Sequence, residues 1–368
     1  MEHKFIPFEI IEKFVIKILE KAGLPPEDAR IAGDVLIWAD KYGFDSHGVN
    51  RLKPIYLDRI RESIVNPVTN PEIVRDGPTT AVIDGHNGMG QVVAFRSMNL
   101  AIEKAKKFGM GMVVVRNSNH YGFAGYYPLM AVRENMIGIT GTNARPSIAP
   151  TFGVENVLGT NPLTFGIPTD EPFPFLLDCA TSITQRGKIE LYARESKKLP
   201  AGWVIDENGD SKTDSNQVLA DLIAGRAALS PLGGVGEETG GYKGYGYATV
   251  VEILSSALQH GAFLKMLAGS RNGKKSPFSL GHFFIAIDIG SFTDPADFKS
   301  TAGTIMREIR ASKKMPGQDR IYTAGEKEYY NWLGRKESGI AFSVDLLKEY
   351  RGLCESYNMI EFLDYFRE

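Results

Sequence analysis

Apolar residues near the start of the chain recur at a helical period. Phe8, Ile11, Val15, Ile18 and Leu19 share one face, and Gly23 is a natural stop. Pro25-Pro26-Glu27-Asp28 suits a helix first turn, where a missing N–H costs nothing and acidic groups meet the positive end of the helix dipole. Ala29, Ala32, Leu36 and Ala39 continue an apolar face until Gly43. Ser46 can cap a short turn after it, and Pro54 is expected to open a further helix through Ile60. The spacing predicts helix over most of residues 1–62.

From residue 78 the pattern changes to short strands alternating with helices. Ala81–Asp84 reads as a strand entering a Gly-rich turn, and Gln91–Phe108 as a helix. Met112–Arg116, Ile137–Thr140, Leu163–Pro168 and Phe175–Asp178 read as strands. Thr184–Lys198 reads as a helix, and Trp203–Asp206 as a strand running into an Asn208-Gly209 turn. Tyr245–Gln259 reads as a helix and His282–Asp288 as a strongly apolar strand. Pro295–Lys313, Glu326–Lys336 and Val344–Tyr357 return to helix, and Gly269–Ser279 reads as a surface loop. The expected fold class is α/β (α+β). Residues 1–75 with 292–368 form a helical lobe around a central mixed-sheet domain, 76–291.

The chain has 368 residues, 42 basic and 44 acidic, for a net charge of −2 and 43% hydrophobic content. Such balance describes a globular protein and gives no pull towards nucleic acid or an anionic membrane. No apolar run is long enough to span a bilayer. Two cysteines, Cys179 and Cys354, argue against a disulfide framework, and the N-terminus lacks a signal-peptide core, so a cytoplasmic location is expected. The six histidines show no His-Glu-x-x-His spacing and there is no Cys-x-x-Cys, so no metal site is expected.

The chemistry concentrates at Asp45-Ser46-His47-Gly48 with Arg51. A histidine exchanges a proton near neutral pH, and an arginine one turn away can grip a carboxylate with two parallel hydrogen bonds. A 2-oxo or 2-hydroxy acid offers the matching pair of groups. Taken alone, the same spacing equally describes a solvated helix face. His120 lies in a second polar loop, Asn117–Tyr121, after an apolar strand, where sites commonly form. Lys243 stands between glycines just before a helix, where a phosphate could meet both the amine and backbone amides. Asp178 ends a buried strand and needs hydrogen-bond partners there. Asn143, Thr160 and Asn161 read equally as substrate contacts or as turn residues bonding their own backbone. The usual dinucleotide fingerprint, Gly-x-Gly-x-x-Gly, is absent from the 39 glycines, as are a P-loop and a Gly-x-Ser-x-Gly elbow.

A further set of segments follows in order: Asn117-Ser118-Asn119-His120-Tyr121-Gly122, Gly141-Thr142-Asn143, Leu158-Gly159-Thr160-Asn161-Pro162, Leu177-Asp178-Cys179-Ala180-Thr181-Ser182, Gly187-Lys188, Tyr242-Lys243-Gly244-Tyr245-Gly246, and Gly281–Asp288. With the His47 segment, these make the chain resemble the malate/L-lactate dehydrogenase family of the non-Rossmann type. Relatives of that family include ureidoglycolate dehydrogenase, sulfolactate dehydrogenase and diketogulonate reductase. Two departures stand out. Ala324-Gly325-Glu326 replaces a Pro-Gly-Glu segment near the cofactor, and the Gly233–Gly240 loop is longer than usual.

The resemblance implies a non-Rossmann mixed sheet and a homodimer with its site near the subunit boundary. It also implies NAD or NADP as cofactor and reversible reduction of a 2-oxo acid, with malate/oxaloacetate the expected pair. Lactate/pyruvate, ureidoglycolate, sulfolactate and diketogulonate chemistry remain alternatives, as does a silent binding protein on the same scaffold. It assigns His47 and His120 to proton transfer and Arg51 to the carboxylate. Ser46, Asn143, Thr160 and Asn161 fall to the substrate, and Asp178, Tyr242, Lys243, Gly325 and Glu326 to the cofactor.

Overall fold

The computed structural model describes residues 3–367. The predicted N-terminal helices form at Phe8–Lys21 and Pro26–Lys41. Their apolar faces meet the C-terminal helix Val344–Ser356 in one core. Phe14 sits at its centre, with its ring 5.1 Å from Tyr350 and 5.0 Å from Phe366. A short antiparallel pair, Lys4–Ile6 with Ile340–Phe342, ties the two ends of the chain together. A helical lobe thus forms from both termini.

The middle of the chain folds as a seven-stranded sheet. Its order is Glu72–Asp76, Thr80–Asp84, Met110–Ser118, Leu280–Asp288, Met136–Thr142, Leu163–Ile167 and Phe175–Cys179. Only Thr80–Asp84 and Met110–Ser118 run parallel, joined by the crossover helix Gly90–Phe108; every other neighbour is antiparallel. A Rossmann sheet is mostly parallel, so the missing glycine fingerprint and the topology agree. The central strand Leu280–Asp288 is the most apolar in sequence because it is flanked on both edges and buried along most of its length.

Several elements depart from the expected pattern. Glu72–Asp76 is a strand that alternation could not reveal, because all its residues are exposed. Leu52–Leu57 forms a π-helical turn containing Pro54, and only Asp58–Arg61 follows as α-helix. Helices Tyr126–Arg133 and Ser215–Ala224 and strand Ala227–Leu229 also form. Gly269–Ser279 carries a two-residue hairpin, Ser270–Arg271 with Lys274–Lys275, rather than open loop alone. A small separate core, with Ile148, Leu158, Ile189, Val204, Val218 and Leu229, organises a cap that includes the helix Arg186–Arg194.

Candidate active site

The His47 segment is not one helix face. Asp45–His47 and Val49–Arg51 are two 3-10 turns separated by an extended Gly48, ψ −150°. Buried Asp40, at the end of the preceding helix, accepts a hydrogen bond from Val49 N at 2.8 Å. A Cβ on Gly48 would lie 2.1 Å from its carboxylate, so only glycine lets the chain pass so close. Ser46 provides no cap; its hydroxyl sits 2.9 Å from His47 Nδ1, and its carbonyl accepts from Arg51 Nε at 2.6 Å. The terminal nitrogens of Arg51 make no hydrogen bond among the described residues.

His120 follows the strand Met110–Ser118. Asn117 turns the chain with φ 53°, and Asn119 Nδ2 fixes the loop by donating to the carbonyls of Asn87 and Gly88. The crossover helix starts directly beneath: a Cβ on Gly90 would lie 2.3 Å from Asn119 O and 2.4 Å from His120 O. Backbone cannot yield as a flexible side chain does. Gly90→Ala should therefore destabilise the protein by about 1–3 kcal/mol, the usual cost of overpacking, and lower turnover by shifting His120. Urea midpoints together with kcat check this; a fully stable and fully active variant contradicts the packing argument.

The two histidine rings stack nearly parallel, centroids 5.7 Å apart and 13° between planes. His120 Nδ1 accepts from Gly122 N at 3.3 Å and lies 2.9 Å from the Tyr56 hydroxyl. A backbone amide can only donate, so in neutral His120 the ring proton sits on Nε2. Burial, then the Arg51 charge, push His47 down to about 4. Burial, then His47 itself, hold His120 well below the ordinary imidazole value. Both rings are neutral at pH 7, and a proton on one disfavours a proton on the other.

One cavity of about 300 Å³ gathers Ser46, His47, Arg51, His120, Asn143, Thr160 and Asp178. Phe44, Phe123, Ile55 and Leu280 supply apolar wall. Asp178 accepts from Gly125 N at 2.7 Å and from Thr164 Oγ1 at 3.3 Å, and burial raises its carboxyl to about 6. Asn161 does not line the cavity. It is buried, and its amide is spent on Ala144 N, Ala248 O and Glu252, because a turn this deep must pair its own polar groups. It positions Thr160 rather than reaching a ligand from where it stands.

Tyr242 and Lys243 lie elsewhere, exposed on the first turn of the helix Gly241–Leu254. Gly325 borders a second pocket, about 330 Å³, walled by Trp38, Tyr42 and Trp332. Glu326 is buried and holds Arg320 and Thr323 N, which accounts for its lowered carboxyl.

His282 is fully buried and stacks on Tyr121 with centroids 4.7 Å apart. Thr142 Oγ1 gives its proton to backbone carbonyls, so it accepts from His282 Nδ1 at 2.7 Å. Burial drives His282 down to about 3. The folded value lies below the unfolded value of about 6.5, so the unfolded chain binds the extra proton. Stability is fully present above that unfolded value and falls by about 1.4 kcal/mol per pH unit below it, down towards the folded value. Between pH 7.5 and pH 5 the wild type should therefore lose about 2 kcal/mol more than His282→Gln, by urea unfolding. Equal losses in both proteins refute it.

Four neighbours escaped sequence reasoning. Tyr56 and Asp40 belong to no sequence motif and matter only through what they touch. Gln185 and Arg186 line the cavity from the cap, and their one sequence signal is adjacency to Gly187-Lys188.

Comparison with known proteins agrees with this geometry. The family model described as malate/L-lactate dehydrogenase matches residues 6–351. Malate dehydrogenase from Pyrococcus horikoshii is 44% identical, over 95% of this chain and 94% of that protein. L-sulfolactate dehydrogenase from Methanocaldococcus jannaschii is 37% identical, over 95% and 96%. The crystal structure of malate dehydrogenase from Entamoeba histolytica superposes with a TM-score of 0.94 at 46% identity, covering 97% of this chain and 99% of that one. With its non-Rossmann sheet and its paired histidines beside an arginine, the chain belongs to the malate/L-lactate dehydrogenase family.

Proposed function

We propose that this chain interconverts a 2-hydroxy acid and its 2-oxo acid with NAD or NADP, and that malate/oxaloacetate is the pair. The observation that carries the reading is the convergence of Arg51, with free terminal nitrogens, and two neutral histidines on one cavity. Relatives named malate dehydrogenase supply the substrate identity.

The donor set fits a nicotinamide dinucleotide. Asp178 offers a carboxylate to hydroxyls and Thr160 a hydroxyl in the same cavity, whereas the Asn143 amide is spent on Gly281 N and Ala262 O and shapes the wall. Lys243 and the amides of the Gly241–Leu254 helix offer a cation and a helix N-terminus to a phosphate. A cavity of about 300 Å³ is at the small end for ligands, so it holds the reacting ends while the rest of the dinucleotide lies outside. When bound, the nicotinamide supplies or accepts the hydride at C2.

The chain does the rest. Arg51 grips the C1 carboxylate and so fixes how C2 is presented. His47 and His120 stand at the C2 oxygen, one donating a hydrogen bond and the pair passing one proton. Tyr56, bonded to His120 Nδ1, changes from donor to acceptor as that ring is protonated. The aromatic and aliphatic wall keeps bulk water from these groups.

The same reading extends to assembly and location. Tyr247, Val250 and Ile253 leave an exposed apolar stripe on the helix that starts with Tyr242 and Lys243. A second copy of the chain on this stripe makes a homodimer with the cofactor-side residues near its boundary. Both cysteines are free, which suits the reducing cytoplasm, and no described helix is long and apolar enough to cross a membrane. The test is purified protein with oxaloacetate, pyruvate and other 2-oxo acids, following NADH and NADPH absorbance. Rapid oxidation with oxaloacetate confirms the pair and sets the coenzyme. Turnover only with another oxo acid changes the substrate, and failure to bind either dinucleotide overturns the reading.

A further inference from the structure

We infer that Arg186 selects for a second acid group on the substrate, gripping the distal carboxylate while Arg51 holds the one beside C2. The inference rests on the 2-oxo-acid reading above and names what distinguishes a diacid within it.

Arg186 is the first residue of the cap helix Arg186–Arg194 and lines the same cavity as Arg51 and the two histidines. The helix start is packed against the Ser46 side: a Cβ on Gly187 would lie 3.6 Å from Ser46 Cβ. The fixed charges of the lining are two guanidinium groups and one carboxylate, Asp178, which accepts from Gly125 N and Thr164 Oγ1. A monoacid engages one guanidinium; a diacid engages both.

The Arg186 side chain is poised for that role. Its Nε donates to Glu190 Oε1 at 2.9 Å, an i,i+4 pair on a half-exposed surface. Such pairs are weak and yield easily. Its other two nitrogens make no hydrogen bond among the described residues, leaving the two-pronged face that matches a carboxylate. A cleft of about 1130 Å³ adjoins the cavity and shares Phe44, Ser46, Arg51, Gln185 and Gly187 with it, so the chain on either side of Arg186 borders open space.

The experiment compares oxaloacetate with 2-oxobutanoate, which has the same carbon count and no second acid group. The ratio of their kcat/KM values should fall about 10- to 100-fold in Arg186→Gln, the worth of a charge-assisted hydrogen bond. Arg186→Lys keeps the charge without the fork and should retain part of the ratio. A ratio unchanged from wild type in both variants overturns the inference, whatever the absolute rates. Wild-type protein inert towards every 2-oxo acid removes the parent reading instead, and this inference with it.

Discussion

His120→Ala lowers kcat for 2-oxo-acid reduction by about 10²–10⁴-fold, and His47→Ala by a comparable factor, the range expected for losing a positioned proton-transfer group. The rings stack 5.7 Å apart in one cavity, and each disfavours the other's charge. If the two act as one proton-transfer unit, the double variant should lose little more than the worse single one. Dinucleotide binding, read by fluorescence titration, should persist in all three, because neither ring lies beside Lys243 or the Gly241–Leu254 helix start. The pH profiles add a second check. With His47 held at about 4, the neutral base is present through neutral pH. The kcat/KM for hydroxy-acid oxidation should stay flat from about pH 5 to about pH 8, while reduction, which consumes a proton, falls as pH rises. Near-normal turnover in both single variants would remove the histidines from the chemistry.

Much of this arrangement is legible in the sequence, and the parts that are not share a physical cause. The central strand Leu280–Asp288 announces itself as a continuous apolar run because it is buried along most of its length, and the helix Gly90–Phe108 because burial of one face leaves a periodic apolar pattern. Glu72–Asp76 leaves none, since both its faces are exposed and only its ladder with Thr80–Asp84 makes it a strand. The cap core is also hidden. Its residues come from segments scattered between Ile148 and Ala248, and no local pattern tells that they meet in one core. His47, Arg51 and His120 stand out chemically, but their meeting is a product of the fold: 68 residues lie between Arg51 and His120 along the chain, and the cavity closes that gap. Asn161 shows the limit of residue type as a guide. A polar residue beside a glycine turn suits a ligand contact or a self-satisfying turn equally, and only the Ala248 and Glu252 bonds decide. Tyr242 and Lys243, read from a motif, stand apart from the cavity, so their meaning depends on a ligand longer than the cavity or on a second copy of the chain.

Arg51→Ala should cut kcat/KM for the 2-oxo acid by roughly 10²–10³-fold, mainly through KM, as expected when one partner of a buried charge pair is removed. Two losses combine in that variant. The terminal nitrogens that meet the carboxylate disappear, and so does the Nε bond that ties Arg51 to Ser46 O across the extended Gly48. Arg51→Lys separates them: it keeps a positive charge but has neither the planar fork nor the Nε donor. It should therefore recover part of the charge attraction without the orientation, giving a KM between wild type and alanine with kcat still reduced. The pH profile distinguishes a substrate clamp from a purely structural latch. After burial, the Arg51 charge is the second cause that keeps His47 at about 4. Removing it must raise the His47 value, because the imidazolium no longer faces a fixed cation. In Arg51→Ala the acid limb of hydroxy-acid oxidation should move to higher pH, whereas in Arg51→Lys it should stay near the wild-type position. An unchanged KM would exclude the clamp. A raised KM with identical acid limbs in the alanine and lysine variants would leave Arg51 as a substrate contact with no electrostatic hold on His47.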